Sequence, residues 1–84
     1  MRVYMQTPSE NGQSPRYYQL IVQKDLLEGW TLIREWGRQG VAGRSKRDHF
    51  DSHEEAVQAC IKVRDGQLAK GFQIVFSRGQ ELIT

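Results

Sequence analysis

Read for the alternation of apolar and polar positions, the chain divides into short strands and one helix. Arg2 to Gln6 (RVYMQ) is rich in β-forming residues and predicts a short first strand. Thr7 to Pro15 gathers two prolines, Asn11-Gly12 and two serines, which predicts a loop and the most mobile part of the chain. Arg16 to Lys24 (RYYQLIVQK) alternates cleanly. Tyr18, Leu20 and Val22 share the face that should meet the core, and Tyr17, Gln19, Ile21 and Gln23 share the other. Asp25 to Gly29 predicts a hairpin connection, with Gly29 suited to a positive φ.

Trp30 to Arg38 (WTLIREWGR) predicts a third strand with an inconsistent pattern. Trp30 and Leu32 read as core, yet Arg34, Trp36 and Arg38 fall on the same face. Either a bulge shifts the register near Arg34, or one end of this face is buried and the other open; the second reading is preferred. Gln39 to Gly43 is a glycine-rich turn. Arg44 to Phe50 (RSKRDHF) predicts a polar fourth strand, suited to a sheet edge where Arg and Lys discourage further pairing.

Ser52 followed by Glu55 makes a capping box ahead of a run of helical periodicity. Ala56, Val57, Cys60, Ile61, Val63, Arg64 and Leu68 form its apolar stripe, so a helix is expected over about 52–70, with Gly71 as its C-terminal cap. Gly66 weakens it by roughly 1 kcal/mol relative to alanine. Phe72 to Phe76 predicts a fifth strand, and 77–84 a tail that frays. A lone amphipathic helix must cover a sheet. The expected fold class is α+β, an antiparallel sheet of four to five strands with one helix on one face, in a single domain whose core spans about 16–76.

Composition narrows the function. With 84 residues, 38% hydrophobic and 26% charged, the chain suits one small soluble domain. No apolar run approaches the roughly 18 residues of a membrane span, so no membrane partner is expected. The N-terminus lacks a secretory pattern, and the mature chain is expected to start at Met1. A single cysteine excludes an internal disulfide framework and, with two histidines, argues against structural zinc. A reduced, cytoplasmic setting follows as the default.

Enzyme motifs are lacking: no phosphate-binding glycine loop, no HExxH and no GxSxG. His49 and His53 read best as surface residues, and Cys60 as a small buried hydrophobe on the helix stripe. No catalytic residue, cofactor or metal is assigned. Charge is uneven, however. Residues 34–49 hold Arg34, Arg38, Arg44, Lys46 and Arg47 against only Glu35 and Asp48, while seven cations meet eight carboxylates elsewhere. Trp36 between two guanidinium groups offers a stacking surface bracketed by phosphate-holding cations. The alternatives are a core tryptophan whose indole N–H meets a backbone carbonyl, an Arg38 ion-paired to Glu35 or a helix acid, and a merely solvated charged face.

Trp36-Gly37-Arg38, preceded by Arg34-Glu35 and followed by Gly40, resembles the signature of the WGR domain. Arg16-Tyr17-Tyr18-Gln19-Leu20 is similar to that family's opening strand, and Gly43-Arg44-Ser45-Lys46 with Phe50 to its next strand. Glu54-Glu55-Ala56 resembles the start of its helix, and Lys70-Gly71-Phe72 its closing segment. Six matched segments in order span about residues 16–74. The resemblance implies an antiparallel sheet with one helix. It also implies, from poly(ADP-ribose) polymerases, recognition of DNA breaks. Trp36 would pack on a sugar at a strand terminus, Arg38 would mediate interdomain contact, and Gly37 would permit close backbone approach. Arg34, Arg44 and Lys46 would neutralise phosphate; from the residues themselves, Arg47 extends the same basic patch. The sequence holds no catalytic domain or zinc fingers to receive such a relay, and it resembles the stand-alone bacterial members of the family.

The resulting expectation is a monomeric, non-catalytic module that binds nucleic acid, DNA at an end, nick or gap, through Trp36, Gly37, Arg38 and the surrounding basic residues. The alternative is a protein-interaction module using the same Trp/Arg surface as a hot spot. Salt separates the two, because phosphate contacts release counterions and a tryptophan-centred protein interface does not.

Overall fold

The computed structural model describes residues 1–9 and 12–79. Its elements run β1 (Arg2–Gln6), β2 (Arg16–Lys24), β3 (Trp30–Arg38), β4 (Arg44–Phe50), α1 (His53–Ala69) and β5 (Gln73–Arg78). The five strands form one antiparallel sheet in the order β4-β3-β2-β1-β5, with α1 on one face. This is the α+β arrangement that the sequence pattern predicts. The fifth strand begins one residue later than expected and takes in Ser77 and Arg78, which sequence assigned to the tail. The expected mobility of 7–15 and 77–84 falls partly on positions 10, 11 and 80–84, outside the described residues.

The helix carries the chain from one sheet edge to the other. β4 ends beside β3, and β5 begins where it can pair with the free edge of β1. Ser52 caps α1 through its Oγ, which accepts the Glu55 amide at 3.1 Å. The C-terminal end closes as a Schellman motif: the Gly71 amide donates to the Leu68 carbonyl, and the Phe72 amide to that of Gln67. Gly71 takes the positive φ, +104°, that this turn requires. The motif turns Phe72 back into the core and fixes Lys70 at the rim.

The core lies between α1 and the sheet. Val3, Met5, Tyr18, Leu20, Val22 and Leu32 face Ala56, Val57, Cys60 and Phe72. Ile61, Val63 and Leu68 pack on its margin, so the helical stripe is buried mainly at its N-terminal half. β3 pairs with β2 without a register shift from Trp30 to Arg38. The open-ended face is therefore the correct reading of its pattern: Leu32 is buried, Arg34 and Trp36 are half-buried, and Arg38 is exposed. Ile33, on the opposite face, is buried beside its direct partner Ile21. β4 is an edge strand, as its charge predicts, and β1 and β5 pair with a register shift at Tyr4/Met5.

Candidate nucleic-acid interface

Where β3 runs out of the core, its helix-side residues come under progressively less cover. Trp36 sits at the transition. Its ring lies nearly parallel to that of Tyr18, its direct partner on β2, at 5.6 Å and 13°. Tyr18 in turn meets Phe72 edge to face at 6.0 Å. The aromatic series Phe72–Tyr18–Trp36 therefore leads from the buried end of the Schellman turn to the protein's rim. Trp36 is neither a core residue nor a free one: its inner side is backed by protein, and part of it meets solvent.

Cations gather beside this series. Arg16 and Arg38 are direct cross-strand partners, a like-charge pairing that costs stability. Arg38 Nη1 donates to the Ser14 carbonyl at 2.9 Å, which ties the described end of the 7–15 loop to the site. The Arg16 guanidinium lies over Phe72, 5.6 Å from the ring centroid. Arg16, Arg38 and Lys70 line a depression of about 430 Å³. Arg16 and Lys70 also line an adjoining depression of about 270 Å³, together with Trp36, Tyr18 and Phe72. Among the described residues, neither depression is lined by a carboxylate. Their joint chemistry is an aromatic wall with three cations, suited to an anionic ligand that carries a flat or apolar part.

The other expected residues are distributed unevenly. Arg44 is the direct partner of Trp36 on β4, and Lys46 that of Arg34, so both stand on the helix-side face beside the tryptophan. Arg34 is engaged: its Nη2 pairs with Asp48 at 3.0 Å, and its Nε is buried without a partner. Lys46 also reaches Asp48, at 4.0 Å. Arg47 is the partner of Ile33 and faces the opposite side of the sheet. Among the described residues Arg38 makes no ion pair with Glu35 or a helix acid. Gly37 lines the smaller depression, but its α-carbon faces the ring of Tyr17. Arg16 and Lys70 were not singled out as phosphate-holding cations from sequence. The signal for Lys70 lay in the Gly71 cap, which sets the residue before it at the end of the helix.

Away from this corner, His49 Nδ1 meets Asp25 at 2.7 Å and His53 packs edge-on to Trp30. Among the described residues no group of three or more His, Cys, Asp or Glu side chains is placed to hold a metal ion. Burial pushes the Cys60 thiol up to about 11, which leaves it protonated and inert at neutral pH.

The family model of the WGR domain matches residues 1–77, nearly the whole chain. This chain belongs to the WGR domain family. WGR domains are nucleic-acid-binding modules without catalytic function. No curated protein and no solved structure matches the chain. The match extends from β1 into β5, so the loop and both depressions lie inside the WGR domain rather than at its border.

Proposed function

We propose that this WGR domain binds DNA at an end, nick or gap through Trp36 and the cations around it. One observation carries the reading: a half-exposed tryptophan, backed by Tyr18, borders one of two adjoining depressions that together hold Arg16, Arg38 and Lys70 and, among the described residues, no carboxylate. A base or sugar is exposed for stacking only where the duplex is interrupted, and a flat indole at the mouth of a cationic depression suits such a site. Trp36 is the stacking residue, and Arg38 is a phosphate ligand, held ready by its bond to Ser14. Arg44 and Lys46 extend the positive surface along β4, and Gly37 borders the stacking site. Arg34 acts indirectly, by holding Asp48 away from the phosphate path. Arg47, on the far face, does not belong to this contact.

The test is binding to a duplex with one phosphorylated nick, against an intact duplex as competitor, for wild type and Trp36→Ala. The wild type prefers the nick, and Trp36→Ala loses about 5- to 150-fold in affinity, the equivalent of roughly 1 to 3 kcal/mol of stacking. Trp36→Phe keeps an aromatic on Tyr18 and retains part of the affinity. A folded Trp36→Ala that binds like wild type would refute the assignment.

A further inference from the structure

The face of the sheet turned away from α1 carries a second set of aromatics. Tyr4 of β1 and Tyr17 of β2 lie nearly parallel, their ring centroids 6.2 Å apart at 17°. Phe76 of β5 is the direct partner of Tyr4. The three form a diagonal row across β2, β1 and β5. Phe76 is 40% exposed and the tyrosines are half-buried. The Tyr4 hydroxyl accepts from Gln6 Nε2 at 3.1 Å and Gln39 Nε2 at 2.6 Å, so its polar atom is satisfied within the protein. The helix covers only the other face.

The head of this row carries two cations, and Glu35 is linked to one of them, Arg2, through Gln19, whose Nε2 donates to the Glu35 carboxylate at 2.8 Å. Arg2 and Arg78 are direct cross-strand partners. Like charges directly opposite each other are unfavourable, and among the described residues neither guanidinium has a carboxylate partner. Arg2 instead gives Nε and Nη2 to Gln19 Oε1, at 3.0 and 2.8 Å. Arg78 lies over Phe76, 5.4 Å from its centroid. Gln6, Gln19 and Gln39 border the row with their amides, and Ile21 is the direct partner of Arg2. An anion between the two guanidiniums would relieve their repulsion, and flat groups attached to it would meet the aromatic row.

We propose that this open face is a second nucleic-acid surface, for an unpaired strand whose bases stack on Tyr17, Tyr4 and Phe76 and whose backbone phosphate lies between Arg2 and Arg78. Aromatic rings interleaved with cations are the elements of sequence-tolerant single-strand binding. Tyr17 also borders the smaller Trp36 depression, so the two surfaces adjoin at the end of β2. The second does not depend on the first.

The test is fluorescence anisotropy of a labelled oligothymidylate with the full chain, in wild type, Phe76→Ala, the double variant Arg2→Gln/Arg78→Gln, and Trp36→Ala. Wild type binds at low salt. Phe76→Ala weakens binding at least about fivefold. The double variant weakens it too, and flattens the slope of log K against log salt by about 0.7 per lost phosphate contact. Trp36→Ala retains single-strand binding. Circular dichroism establishes that each variant is folded, and the exposed arginines supply the readout should Phe76→Ala unfold. No binding by wild type at low salt would overturn the proposal. So would a folded double variant with wild-type affinity and slope, or loss of single-strand binding in Trp36→Ala alone.

Discussion

The ring of Tyr17 lies across Gly37, its direct partner on β3, and reaches Gly43 beyond it. A Cβ on Gly37 would stand 3.4 Å from Tyr17 Cε2 and 3.0 Å from the Gly43 Cα. One on Gly43 would stand 2.6 Å from the Trp36 carbonyl oxygen and would collide with the Tyr17 hydroxyl. The close approach that the signature glycine permits is thus made by the protein's own tyrosine and turn. The middle residue of Trp36-Gly37-Arg38 serves the fold that presents the other two.

Gly43→Ala should therefore destabilise the domain by about 1 to 3 kcal/mol, because its obstacle is backbone that cannot rotate away. Gly37→Ala should cost less, since its contacts are tight rather than overlapping. Urea unfolding of both variants checks the order. Equal stability of Gly43→Ala and wild type would show that the turn gives way freely.

Acid should expose the role of Asp25 at the β2–β3 hairpin. The Thr31 hydroxyl donates to its carboxylate; this bond, together with His49 and Arg47, holds its pKa below the usual 3.8 despite some desolvation. A folded pKa below the unfolded one gives stability that is present above 3.8 and lost as pH falls through the lowered value. Asp25→Asn should be less stable than wild type at neutral pH, and the gap should narrow below pH 3.8. Thermal melts across that range measure it; a gap that widens with acid would contradict the assignment.

Gly66 offers a change in the opposite direction. It lies exposed inside α1, and an added Cβ would meet nothing within 4 Å. Gly66→Ala should stabilise the domain by about 1 kcal/mol, read as a higher urea midpoint at unchanged slope.

Local pattern was legible wherever local forces decide. The alternation in Arg16–Lys24, the capping box at Ser52 and the charge of Arg44–Phe50 gave β2, the start of α1 and an edge strand, respectively. Non-local pairing was not. Nothing in Gln73–Arg78 names Arg2–Gln6 as its partner, and the open aromatic row depends on that pairing. Residue type likewise did not reveal engagement. Arg34 and Arg38 look equivalent in sequence, but Arg34 has Asp48 within reach, whereas among the described residues Arg38 bonds only the Ser14 carbonyl. Arg47 could have been separated from Arg44 and Lys46 by strand parity alone, since its odd position sends it to the other face.

The most direct measurement is the salt dependence of binding to the nicked duplex for wild type, Arg38→Gln and Lys70→Gln. Both cations line the larger depression, which adjoins the one beside Trp36, and both are exposed. Wild-type log K should fall linearly with log salt, and each variant should flatten that slope by about 0.9 as one phosphate contact is lost. Affinity indifferent to salt, or variants that keep the wild-type slope, would contradict a phosphate-binding site at this corner of the sheet.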